Sequence, residues 1–228
     1  MRRILLLLAA LAAPLAAAPP VQAQAPMLYE LRLPDGFALI RYANGLDGPA
    51  SLRSDFDLPR ELGTEDAARI SHYFVVENAA GKTLDLRITH AGATTAHPFR
   101  VNANTFNTVL LMREGNQVVA RLLEDTTEYN RLRARLTFYN AAPNCPTATL
   151  ALDPSGRAVI PNVPVPGMQA RTVAPAAARL RAQCGAQRVG PLDLGRLEAG
   201  QIASLWLMSP GGRTILFTSR DLIAPPGR

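Results

Sequence analysis

The hydrophobic pattern of this chain has the period of β-strands. Residues 37–44, 72–77, 83–89, 109–112, 118–123, 133–140, 147–152, 205–208 and 214–218 form short apolar or alternating runs, bounded by Gly, Pro, Asn and Asp. Runs of this length with turn residues between them read as strands. Residues 113–117 and 209–213 are the turns of two hairpins, and Asn78-Ala79-Ala80-Gly81 and Asp153-Pro154-Ser155-Gly156 are further turn signals. Short strands at this spacing predict an all-β fold of the sandwich type with helix content near zero.

The pattern occurs twice. Asn44 and Asn140, Leu84 and Leu180, Leu111-Met112 and Leu207-Met208, Gly115 and Gly211, and Asp125 and Asp221 are identical at a single offset of 96 residues, without gaps. Residues 37–44 answer residues 133–140, each run ending at an Asn suited to a turn, and the hairpin at 109–123 answers the one at 205–218. The prediction is therefore two tandem β-sandwich domains related by an internal repeat, 24–128 and 129–228. A short linker near 126–130 would restrict their relative orientation. Two stretches look helical locally. Residues 58–70 are expected to hold a turn of helix, since Thr64-Glu65-Asp66 resembles an N-cap. The Ala-rich residues 176–183 align with the strand at 83–89, so the repeat assigns them to a strand against their propensity.

The N-terminus changes the length available for the fold. Met1-Arg2-Arg3, an apolar run over residues 4–13 and a small-residue region ending at Val21-Gln22-Ala23 have the parts of a cleavable export signal, with cleavage expected after Ala23. The run is shorter than the roughly 20 apolar residues that span a bilayer. The mature chain is thus expected in the periplasm, not spanning a membrane. In an exported chain two cysteines are read first as a disulfide, here Cys145 to Cys184. Such a closure stabilises by roughly 3 to 4 kcal/mol in the chain-entropy model. A reactive or metal-binding thiol pair favours a close C-x-x-C spacing that these two lack.

Charge divides unevenly between the copies. The net charge is +6, and Lys82 is the only lysine. Residues 24–128 carry ten basic and fourteen acidic side chains, a net −4, whereas residues 129–228 carry twelve and four, a net +8. The second copy is the one suited to an acidic protein face or an anionic polysaccharide, because the arginine fork binds both oxygens of a carboxylate. An exported chain without aromatic residues interleaved among basic ones is not expected to bind nucleic acid.

No pattern for catalysis emerges. There is no G-x-S-x-G, and Ser71 lies beside His72, on the opposite face if both are in a strand. His72, His90 and His97 have no H-x-H or H-x-x-x-H spacing, so no metal site is expected. Asp55, Asp57, Glu65 and Asp66 read as solubilising loop residues, and Trp206 aligns with Leu110 inside a strand, which points to core packing. Neither a catalytic residue nor a cofactor is expected.

Leu28-Tyr29, Pro34, Gly36 and Ala38-x-Ile40-Arg41-x-x-Asn44 form a pattern by which the chain resembles the alginate O-acetylation protein F family. It continues in Tyr73-Phe74-Val75-Val76 ahead of Gly81, and in Arg135-Leu136-x-Phe138-Tyr139-Asn140. The resemblance implies a two-domain periplasmic accessory protein of exopolysaccharide O-acetylation, an interaction mediator and not the catalyst. Its partners would be the other periplasmic or membrane components of the acetylation complex. Alginate is the implied polymer, although related systems acetylate cellulose. Arg41, Asn44, Tyr73, Tyr139 and Asn140 are the candidate positions it implies; the cysteine pair has no counterpart in the family pattern. Two further classes stay open: a carbohydrate-binding or chaperone-like β module, and a cryptic O-acyltransferase.

Overall fold

The computed structural model describes residues 35–125 and 130–224. The expected export signal and all but the last residue of the expected linker near 126–130 lie outside them. The first unit contains β1 (Ala38–Asn44), β2 (Ala50–Ser54), β3 (Arg60–Leu62), β4 (Phe74–Val76), β5 (Leu84–His90), β6 (Ala93–Phe99), β7 (Phe106–Glu114) and β8 (Gln117–Asp125). The second contains β9 (Ala134–Ala141), β10 (Thr147–Leu152), β11 (Ala158–Pro164), β12 (Gly167–Val173), β13 (Ala177–Cys184), β14 (Gln187–Arg196), β15 (Ile202–Met208) and β16 (Ile215–Ser219). Among the described residues the only helical pieces are two 3-10 turns, Asp66–Arg69 and Pro210–Gly212.

Each unit is a sandwich of two four-stranded sheets. Their orders are β4-β1-β7-β8 over β3-β2-β5-β6, and β12-β9-β15-β16 over β11-β10-β13-β14. The offset seen in the sequence governs the pairing. β1 runs parallel to β7 with Leu39 opposite Phe106, and β9 runs parallel to β15 with Arg135 opposite Ile202, each position 96 residues on. The stretch at 58–70 holds the short strand β3 as well as the expected helical turn, and that turn has no side-chain cap. Residues 177–184 are the strand that the repeat favoured. The turn at 78–81 does not close a hairpin: β4 pairs with β1 and β5 with β2, so the chain crosses there from one sheet to the other.

All seven residues of β1 and all eight of β9 are buried. One face of a strand lining a single core would be exposed, so two cores are required. Ala38, Ile40 and Tyr42 pack inside the first sandwich, and Ala134, Leu136 and Phe138 inside the second. The alternate residues face a third core that spans the units, in which Ala43, Ile70, Leu110 and Met112 meet Tyr139, Ala141, Trp206 and Met208. An apolar seam of this kind removes the relative motion expected of domains joined only by a linker.

Residues 222–224 reinforce the seam. Tyr73 N–H donates to the Leu222 carbonyl at 2.8 Å, Ala224 N–H donates to the Tyr73 carbonyl at 2.6 Å, and Ile223 packs against Leu39, Tyr73 and Phe106. Residues 222–224 thus lie against the first unit.

Candidate functional site

In the seam the inter-unit faces of β1, β7, β8, β9 and β15, with Tyr73 and Asp221 beside them, build a polar centre. Arg41 is fully buried. Its Nε donates to Thr108 Oγ1 at 2.9 Å, Nη1 to Asp221 Oδ1 at 2.6 Å, and Nη2 to Tyr139 Oη at 2.7 Å and Ser204 Oγ at 3.4 Å. The hydroxyls pass their own protons onward. Thr108 donates to Asp125 Oδ2 at 2.9 Å, Tyr139 to Asp125 Oδ1 at 2.7 Å, and Ser204 to Asp221 Oδ2 at 2.8 Å. Tyr73 Oη also donates to Asp125 Oδ2. Every bond that the guanidinium donates therefore goes to a hydroxyl that in turn donates to a carboxylate, or to a carboxylate directly.

Aromatic rings close the remaining directions. The guanidinium carbon lies 4.5 Å from the Tyr73 ring centre, 5.0 Å from that of Trp206 and 5.2 Å from that of Tyr139. Tyr139 stacks on Trp206 with ring centres 4.0 Å apart, and Trp206 Nε1 donates to Ser219 Oγ at 2.8 Å. Cation–π attraction is strongest when the cation is stripped of water, as it is here.

The repeat shows through this centre. Thr108 and Ser204 are 96 residues apart, as are Asp125 and Asp221, so two equivalent hydroxyl–carboxylate pairs converge from the two units. The position equivalent to Arg41 is Thr137. One arginine serves both pairs.

One cation against two carboxylates leaves an excess negative charge out of water. Burial pushes the Asp125 carboxyl above its ordinary range, against the opposing pull of Arg41 and the hydroxyl donors. Burial also raises the Tyr73 and Tyr139 phenols well above their usual value. For Arg41 burial acts to lower the value, but Asp221 first, then the two tyrosines and Asp125, outweigh it and hold the guanidinium charged. Arg41, Tyr73 and Tyr139 are each at most 1 % exposed, which leaves no surface on which a substrate can meet them. The geometry of the centre is that of a fastening between the units.

The five family-pattern residues separate into two groups. Arg41, Tyr73 and Tyr139 meet in the centre. Asn44 and Asn140 do not: each pins a strand corner in its own sandwich. Asn44 Nδ2 donates to the carbonyls of Gly48 at 3.0 Å and Gly63 at 2.9 Å, and its Oδ1 accepts from Leu46 N–H at 3.0 Å. Asn140 does the same with Cys145 at 2.9 Å, Val163 at 3.0 Å and Ala142 N–H at 3.3 Å. Sequence reasoning missed Thr108, Ser204 and the role of the two aspartates. The repeated Asp at positions 125 and 221 was the available signal.

The other considered residues fall elsewhere. Cys145 and Cys184 form the expected disulfide, with Cα atoms 5.5 Å apart. The Ser71 hydroxyl bonds to the backbone of Tyr42 and His72. His90 bonds to the Pro49 carbonyl and to Asp47, and His97 to Thr95. Among the described residues no three metal-ligating side chains converge, and no helix is long and apolar enough to cross a membrane.

Comparison with known proteins adds little. No family model matches the chain, and no curated protein matches it significantly. Among solved structures it is similar to the Bacillus anthracis TIE protein, at 10 % identity and a TM-score of 0.25, over 82 % of this chain and 34 % of that one. It is also similar to a candidate cell adhesion protein from Bacteroides ovatus, at 9 % identity and a TM-score of 0.25, over 85 % of this chain and all of the other. The chain thus spans about a third of the first and the whole of the second. Neither likeness is close enough to bear on function.

Proposed function

We propose that this protein is a non-catalytic periplasmic adaptor for O-acetylation of an exopolysaccharide, with alginate the polymer the sequence resemblance implies. The observation that carries the reading is the Arg41 centre. It joins two sandwiches of opposite net charge into one body and leaves its own polar groups inaccessible. A rigid body with two chemically different faces holds two partners at a set distance. The formed disulfide supports an oxidising compartment. The partners are other periplasmic or membrane components of the acetylation complex, and the basic second unit suits an acidic surface.

The test uses the full chain in its own cell. Deleting it should lower the acetyl content of the secreted polymer without lowering polymer yield, and re-supplying the intact chain should restore acetylation. In-cell cross-linking should join it to acetylation components. Unchanged acetylation after deletion would overturn the proposal.

A further inference from the structure

The two sandwiches differ at the end next to the β12–β13 connection. In the first, aromatic side chains fill the gap between the sheets: Phe56 lies 6.4 Å from Phe74 and 5.8 Å from Phe99, ring centre to ring centre. Strand register identifies the matching positions in the second. Phe74 sits opposite Ile40 and Arg171 opposite Leu136, and Leu136 is the counterpart of Ile40. Phe99 sits opposite Leu84 and Leu192 opposite Leu180, and Leu180 is the counterpart of Leu84. Phe56 corresponds to Leu152 at the 96-residue offset. Three phenylalanines are thus replaced by two leucines and an arginine.

A cleft of about 590 Å³ opens in that part of the second sandwich. This volume is in the range of small-molecule sites. Its floor is aliphatic, formed by Leu136, Val159, Leu180 and Leu197, and its rim carries Arg133, Arg157 and Arg171. Arg171 is held against the wall by a bond to the Val159 carbonyl at 2.5 Å. Arg133 and Arg157 are exposed and have no carboxylate within ion-pair distance among the described residues, and no acidic side chain lines the cleft.

We infer that this cleft binds an amphiphilic anion, an unbranched acyl chain ending in a carboxylate or another anionic head. The aliphatic floor takes the chain and the arginine rim takes the head. A uronate sugar fits the rim but not the floor. The lining has no aromatic ring for stacking, and Thr172 supplies its only side-chain hydroxyl, so most sugar hydroxyls would lose water without gaining a partner. This inference does not depend on the adaptor reading.

Decanoate, kept below its micelle concentration, is the probe, with binding to the full chain followed by calorimetry. Saturable one-site binding is expected, weakened about tenfold or more by R133A/R157A, which removes the charged partners. Decanol, lacking the charge, should bind weaker by a similar factor, and glucuronate should not compete. Leu152→Phe with Arg171→Phe refills the gap as in the first sandwich and should abolish binding while the chain still unfolds cooperatively. Sedimentation with phosphatidylglycerol vesicles, competed by decanoate, would identify an anionic lipid as the source of the acyl chain; binding of decanoate alone would identify a free acid. Absence of saturable decanoate binding, equal binding by R133A/R157A, or glucuronate binding as tightly as decanoate would overturn the inference. So would an acidic leucine-containing peptide that binds where decanoate does not.

Discussion

The two sandwiches keep one backbone plan and fasten it with different chemistry. Asn44 and Asn140 pin the same corner through the same three kinds of bond. The neighbouring strand tip is tied differently. In the second unit Cys145 is bonded to Cys184, the last residue of β13. In the first, Pro49 stands at the position equivalent to Cys145, and its carbonyl is 3.0 Å from Nδ1 of His90, the last residue of β5. A covalent tie in one copy thus stands where a hydrogen bond serves in the other. The same division appears in the seam, where Arg41 has Thr137 as its counterpart. Positions that set strand register are shared, as are the hydroxyl–carboxylate pairs of the seam, while the disulfide, the buried arginine and the aromatic plug each belong to one copy alone.

The largest effect on this comparison is expected from Arg41→Met, which leaves Asp125 and Asp221 buried without their cation. Removing one partner of a buried ion pair costs about 3–5 kcal/mol. Urea unfolding should show that loss, and small-angle scattering should show the two units separating where the native chain is compact. A loss below about 1 kcal/mol would mean that the aromatic packing around the guanidinium, and not its charge, holds the seam.

Next in size is the disulfide. Cys145→Ala with Cys184→Ala opens a closure spanning 39 residues and should cost about 3 to 4 kcal/mol by loop entropy. His90→Ala, at the matching place in the first unit, removes one hydrogen-bonding ring and should cost about 1 kcal/mol. Equal losses would show that the hydrogen bond holds its strand tip as firmly as the disulfide holds the other.

Much of this scaffold was legible in the sequence because it was written twice. Residues 177–184 look helical from composition, and only their alignment with 83–89 assigns them to a strand. Strands β2, β3, β6, β11, β12 and β14 were not identified as elements. All but β2 lie at sheet edges, and β6 and β14 are further interrupted by Pro98, Gly190 and Pro191, so neither face of these two carries a clean apolar stripe. The Arg41 centre was only partly legible. The resemblance singled out Arg41, Tyr73 and Tyr139, but Asn44 and Asn140, drawn from the same motifs, proved to be corner pins. A pattern of matched residues does not separate a buried network from a turn; the face of the strand does. Arg41 lies on the inter-unit face of β1 with Leu39 and Ala43, opposite to Ile40 and Tyr42.

The corner asparagines sharpen the comparison at a smaller scale. Asn44→Ala and Asn140→Ala each strand two carbonyls and one N–H and should each cost about 2 kcal/mol. Similar losses in chemical unfolding would confirm that the corner is the shared part of the plan. A much smaller loss at Asn140 is the informative alternative, since it would mean that the adjacent disulfide already holds that corner.

The smallest expected effect is a change of slope with pH, and its sign decides what Asp125 contributes. Its carboxyl is raised above the ordinary range chiefly by burial, so the folded state favours the protonated form. A raised value gives a stabilising contribution that is complete below the unfolded-state value of about 3.9 and is lost as pH rises through the folded-state value. Asp125→Asn does not titrate there. It alters the hydrogen bonds from Tyr73, Tyr139 and Thr108 at every pH, so the informative quantity is the difference in slope and not the offset. Unfolding free energies measured upward from about pH 4 should show the native chain losing stability relative to the variant. The opposite slope, with the native chain gaining on the variant as pH rises, would mean that the attraction to Arg41 outweighs the burial of a second carboxylate, and that the seam is an ordinary ion pair with charge to spare.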